Sequence, residues 1–260
     1  MKPVCLVMGA GAGIGGNTAI RFAREGYHAV LCRRGNTESM DRLVSAIEGE
    51  GGTATGILIN AAEEGVLEDL VAQVEADVGP IEVLLYNLGA QIGDRSAEQT
   101  SLKQFELGWR LGTFGLFRLA KALCPKMVER GQGTIIVTSA TAAVRGNQGQ
   151  HSHASAMAGR RMLCQTLNAQ YAPQGIHVSH VLIDGAVDAP DTLGKMMGEQ
   201  QFAQLRATLG ESDGLMRPDQ IAETYWQLHR QHRSAWTFEL DLRAYSDLPW
   251  WNRKALNVSL

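Results

Sequence analysis

Residues 4–16 read Val4-Cys5-Leu6-Val7-Met8-Gly9-Ala10-Gly11-Ala12-Gly13-Ile14-Gly15-Gly16. Five apolar residues run into a glycine-rich turn, and an amphipathic segment with Ile20, Phe22 and Ala23 follows at once. That order is strand, phosphate-binding turn, helix. Glycines let the backbone bend sharply and approach a pyrophosphate, and the helix behind them offers free N–H groups at the positive end of its dipole. Two spacings overlap, Gly9-x-x-x-Gly13-x-Gly15 and Gly11-x-Gly13-x-x-Gly16. Gly9, Gly11, Gly13, Ile14 and Gly15 are therefore the first candidate cofactor-binding residues.

Outward from this turn, strand-like and helix-like stretches alternate. His28 to Cys32 is an apolar strand followed by Arg33-Arg34-Gly35, and Glu38 to Glu50 has helical spacing closed by Gly51-Gly52. Thr55 to Ile59 is a third strand, Glu63 to Val78 a third helix ended by Gly79-Pro80, and Ile81 to Tyr86 a fourth strand. Ser101 to Arg130 reads as one long helix that opens on a capping box, Ser101 with Gln104, and stops at Gly131. Thr134 to Val137 is a strand, Ser155 to Tyr171 a helix and His177 to Ile183 a strand. From Asp184 to about Arg217 the text is irregular. Pro218 to Gln231 is a helix and Trp236 to Leu240 a last strand. The alternation predicts a doubly wound α/β fold, a parallel Rossmann-like sheet in one domain over residues 1–260. Ligands of such sheets sit beyond the carboxyl ends of the strands, and there the chain repeatedly places small or polar residues.

A length of 260 residues, 45% hydrophobic and 20% charged, suits one globular α/β domain. A net charge of −3 gives no reason to expect nucleic acid or an anionic membrane as partner. Cys5, Cys32, Cys124 and Cys164 lie far apart, without the spacings of a zinc site, and read as reduced thiols of a cytoplasmic protein. The first apolar run stops at Met8 and no apolar stretch is long enough to span a bilayer, so neither a signal peptide nor a membrane span is expected.

With these pieces in place the chain resembles the short-chain dehydrogenase/reductase family over about residues 3 to 240. The matching pieces are Gly9-x-x-x-Gly13-Ile14-Gly15, Asn87-Leu88-Gly89 after the fourth strand, Gly146-Asn147-Gln148-Gly149-Gln150 before the long helix, and Arg217-Pro218-Asp219-Gln220-Ile221-Ala222. The resemblance implies a dinucleotide over the first glycine turn, a small-molecule carbonyl or alcohol substrate under a loop formed by about residues 184–217, and a homodimer or homotetramer paired through the long helices. It adds Asn87 and Gly89 to the cofactor site. Asn60-Ala61 fall where the family usually has an acid beside the adenine, and Asp184-Gly185 where it has a proline beside the nicotinamide. For Asp184 an Asp-Gly turn is the default reading, contact with the ligand the alternative. An acid at the end of the second strand would favour NAD; here Arg33 and Arg34 stand there, two guanidiniums suited to clamp a 2′-phosphate, which points to NADP(H).

The family reduces carbonyls with an Asn-Ser-Tyr-Lys set, and this chain departs from it at every position. Gly112 falls at the asparagine, Ala140 at the serine, His153 at the tyrosine and Met157 at the lysine. The change has a chemical logic: an imidazole titrates near pH ~6.5 and needs no cation to work near neutrality, whereas a phenol near ~10 does. His153 is thus the candidate proton donor, with Ser139 and His151 as neighbouring polar candidates; no metal is implied. The alternatives are a catalytically inactive dinucleotide-binding relative, acting as sensor or partner subunit, and a non-redox lyase or isomerase on the same fold. Residues 241–260 form a tail containing Trp250 and Trp251, either packed at an oligomer contact or lying as a lid.

Overall fold

The computed structural model describes residues 1–89 and 96–252. Seven parallel strands form one sheet in the order β3-β2-β1-β4-β5-β6-β7: β1 Val4–Met8, β2 His28–Arg33, β3 Thr53–Leu58, β4 Ile81–Tyr86, β5 Gly133–Ala140, β6 Ile176–Ile183 and β7 Glu239–Leu242. The helices are α1 Ile14–Arg24, α2 Thr37–Gly49, α3 Val66–Asp77, α4 Leu102–Trp109, α5 Gly115–Arg130, α6 His151–Tyr171, α7 Lys195–Met197, α8 Glu199–Gly210 and α9 Pro218–His229. Between them the chain reverses its winding at β1, whose neighbours are β2 on one side and β4 on the other. That reversal opens a crevice above the carboxyl ends of β1 and β4.

Residues of the central strands β1, β2, β4, β5 and β6 are mostly buried on both faces and alternate between two cores, as a helix-covered parallel sheet requires. Val4, Leu6 and Met8 face a cluster with Leu70 and Val74 of α3, Leu119 and Leu123 of α5, and Cys164 of α6. Cys5 and Val7 face the opposite cluster, with Phe22 of α1, Met40 and Ile47 of α2, and Tyr225 of α9. All four cysteines are buried and unpaired with one another. No helix among the described residues is long and apolar enough to cross a membrane.

Two elements differ from the sequence expectation in ways that shape the site. The long helix expected over Ser101 to Arg130 keeps its capping box but is broken into α4 and α5 by a π-helical turn, Arg110–Phe114. Gly112 and Thr113 lie buried in that turn, and Gly115 just beyond it lets Tyr86 approach: a Cβ there would come within 2.5 Å of the phenol oxygen. The chain stays helical on both sides of the widened turn, so the stretch reads as one helix in sequence. The helix expected from Ser155 starts a turn earlier, at His151, so His151, Ser152 and His153 are helical. The irregular segment from Asp184 contains α8, and α9 ends at His229.

Candidate active site

The glycine turn closes on β4. Gly9 has φ +95°, and a Cβ there would lie 2.7 Å from the Asn87 carbonyl oxygen. A Cβ on Gly15 would collide with the Gly9 carbonyl. Asn87 Nδ2 donates to Gly9 O (3.1 Å), tying the end of β4 to the turn. α1 begins with no side-chain cap and no acid in its first turn. Gly16 N–H donates to Gly11 O (2.9 Å), and the N–H groups ahead of it and the helix dipole are left to whatever occupies the crevice.

A cavity of about 630 Å³ runs along this crevice. One end is formed by Arg33, Arg34 and Gly35, the middle by Gly9, Gly11, Gly13, Ile14 and Gly15, and the inner end by Asn87, Gly89, Ser139, His153, Met157 and Arg160. Arg33 Nη1 is buried with no hydrogen-bond partner, a cationic donor that an anionic group would satisfy. No Asp or Glu lines the cavity among the described residues. The residues present fit a phosphorylated dinucleotide.

His153 is half-buried at the inner end. Its Nδ1 is buried without a hydrogen-bond partner, and burial, then the nearby Arg160 charge, holds its pKa below the ordinary imidazole range. It also borders a second cavity of about 350 Å³, shared with Ala140, Thr141, Gln150, Asp184, Gly185 and Asp247. His153 therefore stands between two chambers. Ser139 is nearly inaccessible and its hydroxyl is directed at Met157 Sδ (3.8 Å). His151 is exposed on the first turn of α6, since residues two apart on a helix do not share a face.

Four expected cofactor residues do not line the main cavity. Asn60 donates to Glu63 (2.9 Å) and accepts from Ala62 N–H (3.3 Å), and Ala61 is buried beside it. Asp184 and Gly185 border only the second cavity. The Asp184 carboxylate is buried and accepts from Arg243 Nη1 (3.0 Å) and from the Trp250 backbone N–H (2.9 Å). The Trp250 carbonyl in turn accepts from Arg145 Nη1 (3.2 Å). The tail is thus clasped onto the end of β6; its residues 253–260 lie outside the described residues.

The residue that sequence reasoning missed is Arg160. It is 2% exposed. Its Nε donates to Gly112 O (2.6 Å), Nη1 to Thr138 O (2.6 Å) and Nη2 to Leu88 O (2.7 Å), and the guanidinium lies 5.0 Å from the Tyr86 ring centre. The expectation that the site has lost its cation along with the family lysine is corrected: a cation enters from one turn further along α6. The sign was legible. Ala156, Met157, Cys164 and Leu167 form the buried face of α6, and an arginine at position 160 interrupts it.

Comparison with known proteins places this geometry. The short chain dehydrogenase profile matches residues 3–195. The chain belongs to the short-chain dehydrogenase family. It is 28% identical over 222 residues to the 3-oxoacyl-[acyl-carrier-protein] reductase FabG of Thermotoga maritima, covering 85% of this chain and 87% of that one. A crystal structure of a short-chain dehydrogenase from Rhodopseudomonas palustris superposes with a TM-score of 0.77 at 31% identity, covering 94% of this chain and 99% of that one. A short-chain dehydrogenase from Sphingobium yanoikuyae in complex with NADPH shares the fold, with a TM-score of 0.75 at 24% identity over 92% of this chain and 87% of that one.

Proposed function

We propose that the chain is an NADP(H)-dependent oxidoreductase that interconverts a carbonyl and an alcohol, with His153 exchanging the proton at the substrate oxygen. The observation that carries this reading is the continuous cavity joining Arg33 and Arg34, through the glycine turn, to His153. NADPH, when bound, supplies the hydride. Arg33 and Arg34 hold its 2′-phosphate, the turn and the α1 N-terminus its pyrophosphate, and Asn87 and Gly89 border its inner half. The chamber beyond His153, with Thr141, Gln150 and Asp247, receives the substrate.

Titration with NADPH and NADH, followed by nicotinamide fluorescence, tests the cofactor assignment; binding of neither overturns it. A carbonyl panel followed at the nicotinamide absorbance band then separates redox turnover from a lyase or isomerase reaction. The depressed pKa of His153 fixes a pH signature. Reduction draws on the imidazolium, whose population grows as pH falls through the depressed His153 pKa, so kcat for reduction rises on acidification; oxidation uses the neutral ring, which already prevails at neutral pH. A reduction rate that does not rise on acidification removes His153 from proton transfer.

One observation favours a second reading, a dinucleotide-binding relative without turnover: Ala140 carries no donor and the Ser139 hydroxyl is turned to Met157. Tight NADPH binding with no turnover across the panel supports it. We also infer self-association. Phe105 and Trp109 of α4, Phe117 of α5 and Met162 of α6 are each 41–50% exposed. Exposed apolar surface on long helices is the usual material of a subunit contact.

A further inference from the structure

We propose that Arg160 binds the inner half of the dinucleotide, donating from its guanidinium to the ribose hydroxyls that reach the His153 end of the cavity. The inference rests on the dinucleotide reading above.

Its grounds are geometric. A guanidinium carries five N–H bonds in a fixed plane. Three are used, on the carbonyls of Gly112, Thr138 and Leu88, one from each of its nitrogens. One further N–H remains on each Nη, and Arg160 lines the cavity. Two of its anchors bring it directly under the strand ends. Leu88 follows β4 between Asn87 and Gly89, and Thr138 lies in β5 beside Ser139 and Ala140; all of these border the same cavity. The third anchor, Gly112, holds the guanidinium from the side of the π-turn, so its orientation is set before any ligand arrives.

The electrostatics agree. Among the described residues no carboxylate pairs with Arg160, and no Asp or Glu lines the cavity. Three carbonyl dipoles stabilise the charge but do not cancel it, so its remaining field reaches oxygen acceptors in the crevice. With Arg33 and Arg34 at the far end, a long ligand is held by cationic groups at both ends. Met157, one turn before Arg160 on the same buried face, has only a thioether, occupied by Ser139. No other cation among the described residues lines the inner end.

Two probes separate binding from mere bracing of the fold. NADPH spans the whole cavity, whereas adenosine 2′,5′-bisphosphate reaches only the Arg33–Arg34 end and the glycine turn. Arg160→Gln is expected to weaken NADPH binding about tenfold while leaving adenosine 2′,5′-bisphosphate affinity within about twofold. Arg160→Lys, which keeps the charge, should recover part of the loss. Equal weakening of both probes, or of neither, overturns the proposal. A measurement on the wild-type chain covers variants that do not fold: the ¹⁵N guanidinium resonances of Arg160 should shift on adding NADPH and stay in place with adenosine 2′,5′-bisphosphate. Resonances unmoved by saturating NADPH overturn the proposal. Absence of NADPH binding to the wild-type chain defeats the dinucleotide reading itself and is recognised as such.

Discussion

At the scale of single residues, the proposed chemistry rests on His153 and Arg160, seven residues apart on α6. Both lie at the inner end of the same cavity, and each raises the cost of a positive charge on the other. Arg160 is fixed by three hydrogen bonds, so the cost falls on the imidazole, which stays neutral near pH 7. His153→Ala is expected to lower turnover by about 10²–10⁴-fold while NADPH affinity, read by fluorescence, changes little. Unchanged turnover assigns the proton to another group. How much of this was legible differs by residue. His153 was picked by its position in the family pattern, Arg33 and Arg34 by position and charge, and all three line the one cavity. Arg160 was not, although an arginine in the apolar stripe of α6 stands out by its burial pattern. The roles proposed for Asn60 and Asp184 rested on place in a pattern. The structure gives those side chains local partners, Glu63 for one and Arg243 with Trp250 for the other.

At the scale of elements, the strand–turn–helix unit at the N-terminus is held by backbone against backbone. Gly9→Ala places a side chain at φ +95° and 2.7 Å from the Asn87 carbonyl. It is expected to destabilise the fold by about 2 kcal/mol or more, with a lower thermal midpoint and weaker NADPH binding. A variant that binds and melts like wild type shows that the turn is not braced by β4. Elements with strong local signals, such as β1, β4 and the Ser101–Gln104 cap, emerge at or within a residue of their expected bounds. The break between α4 and α5 does not, although Gly108, Gly112 and Gly115 cluster around it: isolated glycines inside a helical pattern are tolerated and do not by themselves mark a break. The tail clasp was equally hidden. It depends on the Trp250 backbone rather than on its ring, and backbone partners leave no mark in a sequence.

At the scale of the whole molecule, buried histidines set the response to acid. His229 pairs with Tyr27 OH through Nε2 (2.8 Å) and Thr134 Oγ1 through Nδ1 (2.9 Å), and burial pushes its pKa down to about 4, with Arg230 adding to it. A neutral ring, with one N–H and one lone pair, satisfies both contacts. Burial likewise takes His180 to about 4 despite its contact with Glu239. Because the unfolded chain takes up these protons near pH ~6.5 and the folded chain does not, stability is complete above that value and declines as pH falls toward about 4. Urea unfolding at about pH 7.5 and about pH 5 should show a loss of about 2 kcal/mol from His229 alone. His229→Gln should flatten the slope, and an unchanged slope assigns the protons elsewhere. Self-association is read at the same scale. Trp109→Glu, on the exposed helix face, should shift sedimentation toward monomer, whereas an unaltered boundary places the contact on another surface.

The anchoring of Arg160 also bears on whether the family pair can be installed at this site. His153→Tyr with Met157→Lys rebuilds the family pair on paper, but it sets a second buried cation one helical turn from the first. Like charges on one helix face disfavour each other, so the new lysine loses its proton or swings away unless the arginine leaves. Yet the arginine ties Gly112, Thr138 and Leu88 together, and a molecule stripped of it loses the framework on which a restored pair would be mounted. Installing the family pattern in this chain therefore calls for changing several positions together, along with the surroundings of the three carbonyls.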